Sequence, residues 1–511
     1  MCGIFASNDP AINMGHEKII DKYLAFRGPD NNSGLLNLNK WKVFHSRLSI
    51  IAPSKKYSQP FFCEDGSIIL YNGEIFNYKK LSNKFLKKNI ISDTELLSKI
   101  IIRKDFDPNL IDGFFSIVRI SKEGKLLNCL RDPFGVKPLF YYKRKEYITI
   151  SSEASVIKNL FQLKFSNDGL NEYKIFRYPI FSGSYFKGVQ SVSPGSCLIN
   201  KNFFEFINYI NLKKKKRKKN LRSVLQKTIK NREVSDVPIG ILLSSGIDSN
   251  IIRNLSSKDK SYFCGGLKND PDIIFCKKLK NKEKLNINIF EIKPLEFVKK
   301  FKKLIKLRCE PLSVPNEVIL SIVADKAKKQ GIKVLLSGEG ADEFFAGYDR
   351  IYRWAKYNKK FNSLEFSKYY CYSKIDSKNL KKLNSFFNKI KDLSTFDKVK
   401  AFFIKYHLPI LLRRLDFSLM SGGVEGREPF ISKDVFFESL KYNQNDLIDK
   451  IHGKKPLRKI LEKYMGKNFP YRKKIGFPVE LNKIFYNDLN NKNKKNYDLW
   501  FEKNIAEIKK L

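Results

Sequence analysis

The chain has 511 residues, enough for roughly two to four domains, and its 42% hydrophobic and 14% aromatic content marks a folded globular sequence and excludes a disordered one. No apolar run is long enough to cross a bilayer, and the opening residues lack the basic and apolar regions of a signal peptide, which predicts a cytoplasmic protein with no membrane partner. The formal charge of +46 has the magnitude of a polyanion binder; most of it is Lys spread over solvated helix faces, so compositional drift is the preferred reading and no specific nucleic acid is expected.

The chain opens MCGIFA. Once Met1 is removed, Cys2 carries both a thiol and a free α-amine, and an amine with a pKa near ~7.7–8.0 is a base able to activate a thiol near ~8.5. On these six residues alone, a small buried hydrophobe is the preferred reading of Cys2. To about residue 210 the texture is short strands and turns: WKVFHSRLSI, GSIILYNGEI, GFFSIVRI, KLLNCLRD, PLFYY and EYITISSE alternate β-branched or aromatic residues with polar ones. Helices are expected near 78–88 and 94–104, so this part reads as a layered α+β domain. The basic run Lys213–Lys219 reads as a solvated linker.

Beyond about residue 220 the pattern becomes strand–loop–helix. VPIGILLSSGIDSN, SYFCGGL and KVLLSGEGADEFFAGY each place a Gly- or Ser-rich loop after an apolar strand. This predicts a parallel sheet with helices on both faces and ligands outside the carboxyl ends of its strands. From about 350 the chain reads as mostly helical.

Two loops carry the chemistry. In LLSSGIDSN, Ser244, Ser245, Gly246 and Ser249 put N–H and hydroxyl groups at a strand-to-helix junction, where anions are favoured. Asp248 suits a phosphate there only if a divalent cation intervenes; a plain helix-capping loop is the competing reading. The second loop supplies another acid, Asp342, able to share Mg²⁺ with Asp248, since Mg²⁺ prefers one or two carboxylates plus phosphate oxygens. No GxxxxGK[ST] motif occurs. The eight cysteines lie scattered without a CxxC, as suits a reducing compartment, and four histidines without a paired motif give little support to a zinc site or a His-based triad.

These residues resemble the ATP-pyrophosphatase domain of glutamine-hydrolysing asparagine synthetases: SSGIDS for SGGxDS, Ser337–Glu343 for SGEGxDE, and RKKIGF at Arg472–Phe477 for RxKxGF. The front half resembles that family's glutamine amidotransferase domain, opening CGIFA and continuing with RGPD, RLSII, YNGEIFNY, SDTE and RDPFGVKPLFYY in family order; LDFSLMSGGVEGREPF matches further back. The resemblance implies an N-terminal nucleophile hydrolase domain over 1–210 and an α/β ATP-pyrophosphatase domain with a helical C-terminal part over 211–511. It implies Cys2 as nucleophile toward glutamine, with Asn72 and the Gly73 N–H as oxyanion donors. Arg47 would take the glutamine α-carboxylate, Leu48, Ser49, Ile50 and Ile51 would line the pocket, and Glu74 and Asp93 would take the ammonium. ATP would lie on Leu242, Ser244, Ser245, Gly246, Asp248 and Ser249, with Gly265, Ser337 and Gly338 near the adenosine and Mg²⁺ on Asp248 and Asp342. Glu339 would assist formation and amidation of β-aspartyl-AMP, and Lys474 would neutralise charge on the phosphates; taken alone, both read as surface charges.

Two positions depart from the pattern. Ser245 replaces a glycine, which would strain the loop if that position needs φ > 0, and Phe26 stands where a His precedes RGPD. Three functions follow for comparison: glutamine-dependent asparagine synthesis from glutamine, aspartate and ATP; the same chemistry on another carboxylate such as a sugar acid; and a nucleic-acid binder on a decayed enzyme scaffold. The intact Cys2, Asn72, Asp248, Glu339 and Asp342 argue against the third. A homodimer is left open.

Overall fold

The computed structural model describes residues 2–199, 202–211, 220–472, 479–485 and 496–511. Its first part builds eleven strands: β1 (Cys2–Ser7), β2 (Asn31–Asn32), β3 (Leu36–Leu38), β4 (Trp41–Arg47), β5 (Phe61–Phe62), β6 (Ile68–Ile75), β7 (Gly113–Ile120), β8 (Leu126–Arg131), β9 (Phe140–Arg144), β10 (Tyr147–Ser151) and β11 (Val189–Ser191). They form two antiparallel sheets, one ordered β11-β9-β10-β1-β4-β2 with β3 also on β4, the other β5-β6-β7-β8. Strand alternation explains how they stack. Ile4 and Ala6 of β1 point into a core shared with Leu70, Val118 and Ile120 of the second sheet, whereas Phe5 points the other way, onto Ile20, Leu24 and Ile157 of flanking helices. The second sheet carries Leu96, Leu97 and Ile100 on its outer side. The result is helix, sheet, sheet, helix, the layered α+β arrangement expected. The expected helices occur as Tyr78–Leu86 and Asp93–Ile100.

The second part holds a parallel five-stranded sheet of β12 (Ile239–Leu242), β13 (Ser261–Gly266), β14 (Ile287–Glu291), β15 (Val334–Leu336) and β16 (Glu425–Arg427), ordered β14-β13-β12-β15-β16. The chain lays β12, β13 and β14 outward in one direction, then returns to set β15 on the other side of β12. The crevice between the ends of β12 and β15 is therefore the topological switch point, where ligands of such sheets bind. Phe263 and Leu335 pack toward the helices Pro294–Arg308 and Asn316–Lys329, while Ile241, Cys264 and Leu336 face the opposite side. The helical region expected beyond 350 also yields β16, a strand of three residues, too short for its alternation to show in the sequence.

The two parts share one core: Ile69 and Phe115 of the second antiparallel sheet belong to the same apolar cluster as Leu225, Ile241 and Phe344. Phe134 packs on both Phe344 and Phe436. Among the described residues no helix is long and apolar enough to cross a membrane.

Candidate active site

Cys2 opens β1, a central strand, opposite Arg47 of β4. It is buried, and burial pushes its thiol pKa up, opposed by the nearby Arg47 cation. Its backbone N donates to Asn72 Oδ1 at 2.9 Å. Asn72 is fully buried, and its Nδ2 has no hydrogen-bond partner, a donor left waiting for an acceptor. At the neighbouring position a Cβ would stand 2.0 Å from Phe114 O, so only Gly73 lets β6 and β7 approach here. The structure thus brings Cys2 and Asn72 together, with Gly73 the next residue along β6.

Arg47 behaves differently from a free carboxylate fork. Its Nη1 donates to Ser54 O at 2.7 Å, and its Nη2 to Ala52 O at 2.7 Å and Ile51 O at 3.3 Å. Three of its five N–H groups thus shape the turn after Leu48, Ser49, Ile50 and Ile51, which are all buried. The Ser49 N–H donates to Asp30 Oδ2 at 2.8 Å, and Lys333 of the second part reaches the same oxygen at 2.7 Å. Asp93 accepts from Tyr71 Oη at 2.9 Å and Ile75 N at 3.2 Å. Burial raises the pKa of both Asp93 and Glu74, and for Glu74 the carboxylates of Glu425 and Asp93 add to the rise. Two buried acids reluctant to ionise alone form a pocket that rewards an incoming cation.

Arg27, fully buried, joins this site to the rest. Its Nε donates to Cys2 O at 3.1 Å, and its Nη atoms donate to Glu153 at 2.6 Å and to Asp416 at 2.9 and 3.2 Å. Asp416 lies on the helix Leu408–Met420, whose Arg413 also pairs with Glu153. Phe26 meets Phe417 of that helix edge to face at 5.8 Å, so the departure at this position places an aromatic contact between the two parts.

The second site sits at the switch point. After Leu242, Ser244 Oγ and Ser249 Oγ lie 3.0 Å apart, and Gly246 N donates to Ser244 Oγ at 3.2 Å. Ser245 is not among the positive-φ residues; its N and Oγ donate to Asp272 Oδ1 at 2.8 and 2.5 Å. The substitution adds an anchor to the loop without strain. Gly338 has the opposite requirement: a Cβ there would come 2.7 Å from the Asp248 Cβ, so the two loops touch only because it is glycine. Ser337 N donates to Arg427 O at 2.8 Å. Gly265 abuts Val323, 2.4 Å from where its Cβ would lie, so helix packing already demands this glycine. Glu339 lies 3.6 Å from Arg414 Nη2.

Asp248 and Asp342 converge on one cation, Lys454, whose Nζ is 2.6 Å from Asp248 Oδ2 and 2.8 Å from Asp342 Oδ1. Lys454 is buried, caps the helix Lys455–Met465 at φ +56°, and threads past Gly347, where a Cβ would fall 2.2 Å from its Cε. Sequence reasoning missed Lys454, Arg414 and Arg427, because a lysine or arginine in a chain with 98 of them carries no signal until the fold buries it. Two carboxylates close enough to share one ammonium are close enough to share one divalent cation, so this pair fits Mg²⁺. Lys474 and most of the RKKIGF segment lie outside the described residues.

Two family sequence models match the chain. The sequence model of the family described as asparagine synthase matches residues 220–503, and that of a glutamine amidotransferase domain matches residues 1–209. An asparagine synthetase [glutamine-hydrolyzing] of Bacillus subtilis is 27% identical over 96% of this chain and 89% of its own length. One from Asparagus officinalis is 25% identical over 93% of this chain and 77% of its own.

Proposed function

The chain belongs to the asparagine synthase family, and from that membership we propose that it is a glutamine-dependent asparagine synthetase acting through two sites on one polypeptide, with an amidotransferase domain over 1–210 and a synthetase domain over 211–511. At the first, Cys2 attacks the glutamine amide. With Met1 removed, the nitrogen held by Asn72 Oδ1 becomes the α-amine that takes the thiol proton. The unpartnered Asn72 Nδ2 and the Gly73 N–H stabilise the oxyanion. The two remaining N–H groups of Arg47 take the α-carboxylate, and Glu74 and Asp93 take the ammonium. Collapse expels ammonia and leaves a thioester on Cys2, which water hydrolyses to glutamate.

At the second site ATP lies on the Leu242–Ser249 loop, with Gly265, Ser337 and Gly338 beside the adenosine. Aspartate attacks the α-phosphate to give β-aspartyl-AMP, which ammonia converts to asparagine with release of AMP. Asp248 and Asp342 would hold Mg²⁺, which when bound would neutralise charge on the pyrophosphate. Lys454, already between those carboxylates, turns to the phosphates, and Glu339, steadied by Arg414, receives the proton lost as ammonia adds. Lys474 adds a further positive charge at the phosphates.

The observation that carries this reading is the meeting of Asp248 and Asp342 at the switch point between β12 and β15. Purified protein with glutamine, aspartate and ATP is expected to yield AMP and pyrophosphate in step with asparagine. ADP as the product overturns the reading of both loops, and AMP formation indifferent to aspartate overturns the acceptor.

A further inference from the structure

Arg427 belongs to β16 of the parallel sheet, yet its guanidinium is fully buried against the glutamine side of the molecule. Its Nε donates to Glu425 Oε1, and its Nη1 to Arg232 O at 2.9 Å and Val234 O at 2.6 Å. Its Nη2 has no hydrogen-bond partner and stands 3.6 Å from Glu74 Oε1, while Glu74 Oε2 is likewise buried without one. Leaving two buried N–H groups and a carboxylate oxygen unmatched is costly, and the 3.6 Å from Nη2 to Glu74 Oε1 is too long for a hydrogen bond. The segment carrying Glu74 is gripped from the same side: Phe76 has Arg232 over its ring at 4.2 Å and Arg427 at 5.1 Å.

We infer that Arg427, supplied by the synthetase part, is a positioning residue of the glutamine site, holding Glu74 Oε1 so that Oε2 receives the substrate ammonium. This rests on the reading of Glu74 as an ammonium acceptor. Burial and the carboxylates of Glu425 and Asp93 disfavour the ionised Glu74, and Arg427 opposes them. With the ammonium bound, the Glu74 carboxylate lies between two cations, and Nη2 gains the partner it lacks. The main chain of the same residue accepts from Ser337 N, at the head of the nucleotide loop, so one residue touches both sites.

The test is steady-state kinetics of the full chain bearing Arg427→Gln, with Glu74→Gln and the double variant completing a cycle. Arg427→Gln is expected to raise KM for glutamine about tenfold or more, the scale of a lost charged hydrogen bond, with glutaminase kcat and ammonia-driven synthesis each within about twofold. In the double variant the two KM effects are expected to fall short of additive. A KM unmoved by Arg427→Gln, or strictly additive effects, overturns the role. Should Arg427→Gln fail to fold, Arg427→Lys replaces the fork that reaches Glu425 and Glu74 together with a single point charge, and an unchanged KM in that variant is equally fatal. An unsubstituted protein that hydrolyses no glutamine overturns the underlying reading together with this one.

Discussion

Removing the Cys2 thiol tests the division of labour at its smallest scale. Cys2→Ala is expected to abolish glutamine-driven synthesis while sparing synthesis from added ammonia, measured as AMP release with each donor; persistence of the glutamine reaction would refute the nucleophile. Lys454→Met should reverse that pattern, lowering synthesis by at least about a hundredfold, as one preorganised charge at a reacting phosphate is worth, with glutaminase retained. A buried acid supplies a pH signature. Glu428 is fully buried and burial lifts its pKa to about 8, while a Glu in the unfolded chain ionises near ~4.3. A raised pKa means the folded state holds the proton longer, so stability is intact below the unfolded value and is lost as pH climbs toward the folded one. The melting temperature of Glu428→Gln should therefore match the parent near pH 4 and exceed it progressively up to pH 8; a constant difference would deny the buried proton.

Among elements, the spacing of two strand-end loops decides the synthetase site. Gly338→Ala places a methyl 2.7 Å from the Asp248 Cβ, so the loops must part, and synthesis is expected to fall tenfold or more with the glutaminase rate unchanged. Equal loss of both activities would show a general packing defect instead. Elements long enough to show their period were legible in the sequence: the helices at 78 and 93, the strands around Ile69 and Ile117, and the Gly-rich loops after β12 and β15. Cys2, Asp248 and Asp342 stood out through their place in the chain or in Gly-rich loops, and Asn72 only through the family resemblance. Lys454 and Arg427 did not, since their importance arises from burial. Nor did the commitment of Arg47 to Ile51, Ala52 and Ser54, because a hydrogen bond to a backbone carbonyl leaves no trace in residue type.

For the molecule as a whole, the two parts are locked by buried ions rather than merely tethered. Arg27, Glu153, Asp416 and Arg413 alternate in sign across the boundary with side chains at most 2% exposed. Unpairing such a group costs about 3–5 kcal/mol. At the usual unfolding entropy per residue, that lowers the melting temperature of a 511-residue chain by about 3–5 °C. Asp416→Asn should show this shift in calorimetry within a single transition, since the apolar cluster also runs through both parts; two separated transitions would mean the parts unfold independently.

The reach of that lock sets a clock on the ribosome. Arg27 leaves the exit tunnel early, yet its Asp416 partner follows 389 residues later, roughly 20–80 s at ordinary translation speeds. Through that interval Arg27 has only one of its two buried carboxylate partners, Glu153, and the charge balance around it is completed when Asp416 is made.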